Sequence, residues 1–497
     1  MGSKVLPAAA RVRVVELGTG PAPEEAFRVL AGREGVFFLD SASGLRAGWG
    51  APLRGSEGAG PWSFLGAEPY AVIEAHERRI VEREGMLERC YEGDPFAALR
   101  ARLARLGRTG RDPALPFEGG AVGFLGYDLK HCVERVSRLA RRDQRFPDMR
   151  MAFHDWVLAC DLSRRRWYAS VAPEPGSGRD AGSLLDRARA VLDEAAGLPP
   201  PAPARDAEAP PEGSVELPAS NMTREEYLRA VRRILDYISA GDIYQANFTR
   251  RFEAAVRRPS GELYLALRRR NPAPFAAYLD AGDGLAVMSS SPELFLRLRG
   301  RRAETRPIKG TRPRGRTEEE DRALAGELLS SAKDAAELAM ITDLERNDLG
   351  RVSEYGSVHV TEAAALEAYA TVFHLVATVS ARLADGEDAV SLARAAFPGG
   401  SITGAPKIRA MEIIDELEPT ARSVYTGAIG FFDSSGDMDL NIAIRTMLFD
   451  RGRVTYQVGG GIVADSDPEA EHEECLAKGR ALAEVLASCV PGGGGDP

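Results

Sequence analysis

A chain of 497 residues is longer than one ordinary core needs, so two or three structural units are expected, and 44% hydrophobic with 28% charged residues is the make-up of a globular protein. A net charge of −9 works against phosphate backbones, which points away from nucleic acid and toward a small-molecule ligand. No run of about 18 apolar residues could span a bilayer, the first residues lack a secretory pattern, and Cys90, Cys132, Cys160, Cys475 and Cys489 have no CxxC spacing, so a cytoplasmic protein with reduced thiols is expected.

In chain order, GVFFLDS (35–41), YAVIEA (70–75) and MAFHDWVLACDL (151–162) read as strands, with helical stretches near 96–107 and 183–195. The Pro- and Ala-rich run across 197–220 reads as an extended linker between an N-terminal region, 1–196, and a C-terminal one, 221–490, with a flexible tail at 491–497. Thr223 and Glu226 form a capping box for a helix over 224–240, whose apolar face is Leu228, Val231, Leu235 and Ile238. GLAVMSSSPELFLRL and RAETRPI, joined at Gly300, read as adjacent antiparallel strands, and Lys309 stands where a strand ends. Two helices are expected within 317–349, strands around 424–433, 438–449 and 453–459, and a last helix opened by Asp467 and Pro468. The predicted class is α+β, with two largely antiparallel sheets packed together and helices outside.

Only six lysines stand among 64 basic residues, and a position that keeps lysine is a candidate for chemistry a guanidinium cannot do. In PIKGTRPRG, Lys309 lies between an apolar residue and a glycine, with Arg306, Arg312 and Arg314 nearby; burial and neighbouring cations would lower its pKa, although a solvated turn lysine fits the segment too. In the last helix Glu471, Glu474 and Lys478 share a face, so two carboxylates there, joined by Glu337, suit Mg²⁺; an exposed Glu–Lys pair is the plainer reading. Gly459, Gly460 and Gly461 read as a turn whose N–H groups cradle a carboxylate, and Arg445 as a clamp for another. Gly399 and Gly404 have the spacing of a phosphate loop, but Ala405 stands where that motif needs lysine, so Gly400–Pro406 is expected to be a ligand-facing or packing loop.

The ordered motifs GDIYQANFTRRF from Gly241, SSPELFL from Ser290, RPIKGTRPRG from Arg306, AELAMITDLERNDLGRV from Ala336, FPGGSITGAPK from Phe397, YTGAIGFF from Tyr425, DLNIAIRTM from Asp439 and YQVGGGIVADSDPEAEHEECLAK from Tyr456 resemble the chorismate-utilising enzymes. Within that family, anthranilate synthases carry alanine where Lys309 stands and aminodeoxychorismate synthases carry lysine. The resemblance therefore implies amination of chorismate to 4-amino-4-deoxychorismate through a Lys309-linked intermediate, for p-aminobenzoate and folate, with anthranilate formation as the alternative. It implies Glu293 as catalytic acid/base and Glu337 and Glu474 as Mg²⁺ ligands. Arg445, Tyr425, Gly459, Gly460, Gly461 and Lys478 would surround the substrate carboxylates, Thr311 and His374 line the ring, and Glu471 join the acidic cluster. Ammonia would come from a separate glutamine amidotransferase subunit, since no cysteine here has that nucleophile's setting. A tryptophan pocket, by position, would involve Ser41, Trp62, Ser63, Phe64, Leu65, Pro274, Phe275 and Ala276.

Overall fold

The computed structural model describes residues 12–42, 48–54, 61–106, 115–174, 179–199, 215, 217–369 and 372–487; most of the 197–220 linker, the 491–497 tail and Cys489 lie outside the described residues. Within them the chain forms two twelve-stranded antiparallel sheets. Helices cover the outer face of each sheet, and the predicted class holds.

Three large apolar cores account for the layering, and a fourth, smaller one joins Leu328 and Leu338 to Phe373, Leu375 and Ala377. One large core lies between the sheets, where Phe37, Phe64 and Phe275 of the first sheet meet Val122, Phe124 and Phe431 of the second. The other two large cores lie under the outer helices, and Phe38 and Leu65 belong to one of these. Residues alternate between the faces of a strand, so strands covered on both sides read as unbroken apolar runs. Phe37–Asp40 is such a strand, buried throughout. No helix among the described residues is long and apolar enough to cross a membrane.

Strands from before and after the Pro-rich segment are direct neighbours in both sheets. Phe37–Asp40 pairs with Phe275–Gly282, and Gly120–Leu125 pairs with Ala428–Asp433.

Runs that read as single elements are divided between the sheets. Met149–His154 lies in one sheet and Trp156–Asp161 in the other. Leu285–Ser291 likewise lies in the first sheet and Leu294–Arg299 in the second, so the chain crosses at Pro292 and Glu293. A third crossing separates Met438–Ile442 from Thr446–Asp450, and there Arg445 adopts φ +49°.

Caps hold the helices that flank the site. Thr223 Oγ1 accepts from Glu226 N at 3.2 Å while Glu226 Oε2 accepts from Thr223 N at 2.7 Å, completing the expected capping box of Arg224–Ser239. Ser331 caps Ala332–Gly350 through Asp334 N at 3.2 Å. Asp467 Oδ1 accepts from Glu469 N at 3.1 Å and Ala470 N at 2.9 Å, opening Pro468–Ala487 as expected.

Candidate active site

Lys309 lies on the strand Ile308–Pro313, beside the helix Ala332–Gly350 that carries Glu337. Burial pushes its ammonium below the ordinary value, while Glu337 and Glu293 draw it back up and Lys478 adds to the lowering. Glu293, 5% exposed at the crossing between sheets, moves the other way. Burial lifts its carboxyl to about 7, against the Ser401 hydroxyl, Lys309, the Ile308 N–H and Arg445, which hold it down. The half-buried amine of Lys309, its pKa lowered, thus stands with a buried carboxyl whose pKa is raised to about 7, the directions that favour a nucleophile and a proton donor.

The triglycine beside Lys309 is not a turn, contrary to the sequence expectation. Gly459, Gly460 and Gly461 continue the strand Arg453–Ile462 and pair with Thr249, Phe248 and Asn247. Their role is close approach: a Cβ on Gly459 would lie 1.9 Å from Phe248 O, and one on Gly461 would lie 2.7 Å from Gln245 Nε2 and 3.4 Å from Lys309 Nζ. Alternation along the strand leaves Gly460 facing Glu471 and Lys478 instead.

Lys478 donates to Gly459 O at 3.1 Å and pairs with Glu474 at 2.7 Å. Glu471 accepts from Ser466 Oγ at 2.6 Å. Burial raises Glu337 and Glu471, with the charge of Glu474 adding to both; Glu474 itself is held low, chiefly by Lys478. Among the described residues no three acid, His or Cys side chains stand together at metal-holding distance. The donor set nonetheless fits a hard divalent cation in kind: the charge of Glu474 raises the pKa of both Glu337 and Glu471, and the carboxylates are met here by Lys309, Lys333 and Lys478.

Thr311 Oγ1 and His374 Nδ1 lie 2.9 Å apart, and His374 Nε2 has no hydrogen-bond partner. Burial and Arg445 push the imidazole to about 3, so it is neutral. Arg445 forms no ion pair among the described residues; burial lowers its pKa, and Tyr369 and Glu293 counter that. Tyr425, its phenol pKa raised by burial, joins this turn through Thr426, whose N–H donates to Ala443 O at 2.8 Å.

Gln245 had no role assigned from the sequence. It is fully buried, and neither amide atom has a partner, although Gly461 and Lys309 stand beside it. The signal was available: on the strand Gln245–Ala255 the alternate residues Gln245, Asn247, Thr249 and Arg251 are polar, and all are buried. Ser401 was likewise unassigned, and it turns the Gly400–Pro406 loop toward Glu293.

The residues expected to enclose a tryptophan lie on neighbouring strands, but not all face one space. Trp62 and Phe64 point between the sheets, whereas Leu65 points to the outer core and Ser63 donates to Asp40 Oδ1 at 3.1 Å. The indole of Trp49, fully buried, meets Phe275 and Ala276, while its backbone N–H donates to Ser41 Oγ.

The profile of the chorismate binding enzyme family matches residues 50–484. Aminodeoxychorismate synthase component 1 of Bacillus subtilis is 38% identical over 436 residues, 87% of this chain and 91% of that protein. Anthranilate synthase component 1 of Cereibacter sphaeroides is 39% identical over 438 residues, 86% of this chain and 87% of its own length. The crystal structure of anthranilate synthase component I from Streptococcus pneumoniae superposes with a TM-score of 0.72 at 31% identity, covering 87% of this chain and 94% of that one. With its motifs, two-sheet fold and matched length in agreement, the chain belongs to the chorismate binding enzyme family.

Proposed function

We propose that this enzyme aminates chorismate at C4 as component I of an aminodeoxychorismate synthase, receiving ammonia from a separate glutamine amidotransferase subunit in the cytoplasm. The observation that carries the reading is the half-buried amine of Lys309, its pKa lowered, among Glu293, Glu337 and Gly461.

In this reading the Lys309 amine attacks C2 and sheds a proton, the two conjugated ring double bonds shift together, and the C4–oxygen bond breaks. Glu293 supplies the proton with which the hydroxyl departs as water. Ammonia then bonds to C4, the electrons return, and the C2–nitrogen bond breaks to release Lys309. Arg445 pairs with a substrate carboxylate, and neutral His374, held by Thr311, lines the ring without adding charge. Glu337 and Glu474 would hold Mg²⁺, which supplies positive charge for a substrate carboxylate.

The test is to incubate purified protein with chorismate, Mg²⁺ and an ammonium salt and identify the product by mass spectrometry. Aminodeoxychorismate without pyruvate is expected, and Lys309→Ala should abolish it. Anthranilate with pyruvate would move the enzyme to the alternative branch, which relatives at the same level of identity occupy. Unchanged turnover in Lys309→Ala would overturn the nucleophilic role.

A further inference from the structure

The indole of Trp49 is held as a bound ligand is held. Its Nε1 donates to Ala276 O at 2.8 Å, its ring meets Phe275 edge-on at 5.5 Å and Phe431 at 6.5 Å, and no part of the residue is exposed. Its backbone is fixed as well: Trp49 N donates to Ser41 Oγ at 2.9 Å, and Trp62 N donates to Trp49 O at 3.0 Å. A buried indole needs a partner for its single N–H, and this seat provides one.

The residues around Trp49 form a short strap, 48–54, that reaches from the first sheet to the second. Arg297 Nη2 donates to Gly48 O at 2.7 Å, and Gly50 N donates to Asp439 Oδ2 at 2.9 Å. At its far end Arg54 N donates to Glu304 Oε2 at 2.8 Å, and Arg54 Nε pairs with Glu362 at 2.9 Å. Glu304 belongs to Arg302–Arg306, the strand that runs through Pro307 into Ile308–Pro313 and so to Lys309.

We infer that Trp49 is a built-in indole ligand: its ring fills a seat between the two sheets, and the strap fixed by it braces, through Arg54, the strand leading to Lys309. The seat is a site distinct from the one that takes chorismate. Its ligand class is an indole, and the chain provides its own.

Truncating a large buried aromatic leaves an apolar cavity that can take up a ligand of the missing shape. Trp49→Ala should therefore bind free indole with one-to-one stoichiometry by calorimetry, and its melting temperature should rise as indole is added, while the native protein binds neither indole nor tryptophan. Turnover of Trp49→Ala should fall by roughly tenfold, within the range of ordinary coupling between separate sites, and saturating indole should restore it. Glu304→Ala, which removes the acceptor of Arg54 N, should lower turnover similarly with indole giving no recovery, because the brace rather than the seat is lost. If Trp49→Ala does not fold, Trp49→Phe, which keeps a ring but loses the bond to Ala276, should fold with reduced turnover. Indole binding to the native protein, a folded Trp49→Ala that takes up none, or full turnover in Trp49→Phe and Glu304→Ala together would each overturn the inference. Binding and melting are read without turnover, so failure of the proposed amination leaves this test intact.

Discussion

Burial acts in opposite directions on the two groups proposed to react, because it disfavours the charged form of each: it lowers Lys309 and lifts Glu293. For Glu293 the consequence is measurable as stability. The folded protein holds its proton up to about 7, whereas the unfolded chain releases it near 4.5, so stability falls as pH rises between those values and stays at the lower level above them. Glu293→Gln removes that ionisation and should melt above the native protein at pH 8, by the equivalent of roughly 3 kcal/mol, with the gap closing toward pH 4.5. Equal melting at both pH values would place Glu293 in water. The glycines give a paired test: Gly461→Ala meets the flexible ends of Gln245 and Lys309, so it should fold normally yet lose turnover by roughly a hundredfold. Gly459→Ala meets backbone and should instead lose about 1–3 kcal/mol of stability by thermal denaturation. Much of this chemistry was legible in the scarcity of lysine. Lys309 and Lys478 stand in the site, Lys333 lies close enough to act on its carboxylates, and Lys130 and Lys407 pair with Asp415 and Asp348. Lys130 is buried and Lys407 half-buried, whereas Lys333 and Lys478 stay exposed beside the acidic residues.

The site is assembled where the chain changes sheets. Glu293 and Arg445 each occupy such a crossing, which brings a carboxyl and a guanidinium from distant motifs to one place. Sequence patterning located the strands and caps but joined 285–299 and 438–449 into single runs, because a strand buried on both faces looks alike in either sheet. Pro292, and the left-handed backbone of Arg445, mark the breaks. The triglycine was misread for a related reason: a turn and a strand stripped of side chains for close approach share the same composition, and only the partner strand, some 200 residues earlier in the pairing of Gly461 with Asn247, distinguishes them. The acidic residues depend on one helix start. Glu471 and Glu474 ride on the first two turns of Pro468–Ala487, and Asp467 supplies its cap. Asp467→Ala should cost about 1 kcal/mol of stability, and because the frayed turn carries both carboxylates, it should also raise the Mg²⁺ concentration needed for half-maximal turnover. A change in melting with no change in Mg²⁺ response would separate the cap from the site.

At the scale of the molecule, the Pro-rich segment divides the sequence without dividing the sheets. Phe37–Asp40 lies between Trp62–Gly66 and Phe275–Gly282 in one sheet, and Gly120–Leu125 lies between Met149–His154 and Ala428–Asp433 in the other. The core between the sheets draws on both regions, with Phe117 stacked on Phe431 at 4.4 Å and Trp49 against Phe275. Residues 221–490 hold every residue proposed to touch substrate, yet alone they would expose two strand edges and the aromatic faces that the first region covers, which favours aggregation over folding. Expressed alone, that fragment should be insoluble or inactive. Because the first fragment ends with the helix Ala181–Ala196 and the second lacks only the two-residue strand Ala219–Ser220 among its strands, supplying residues 1–196 as a second chain in the same cell should restore soluble, active protein. A fragment 221–490 that is monomeric, cooperatively melting and active by itself would show that the shared sheets are not needed for folding.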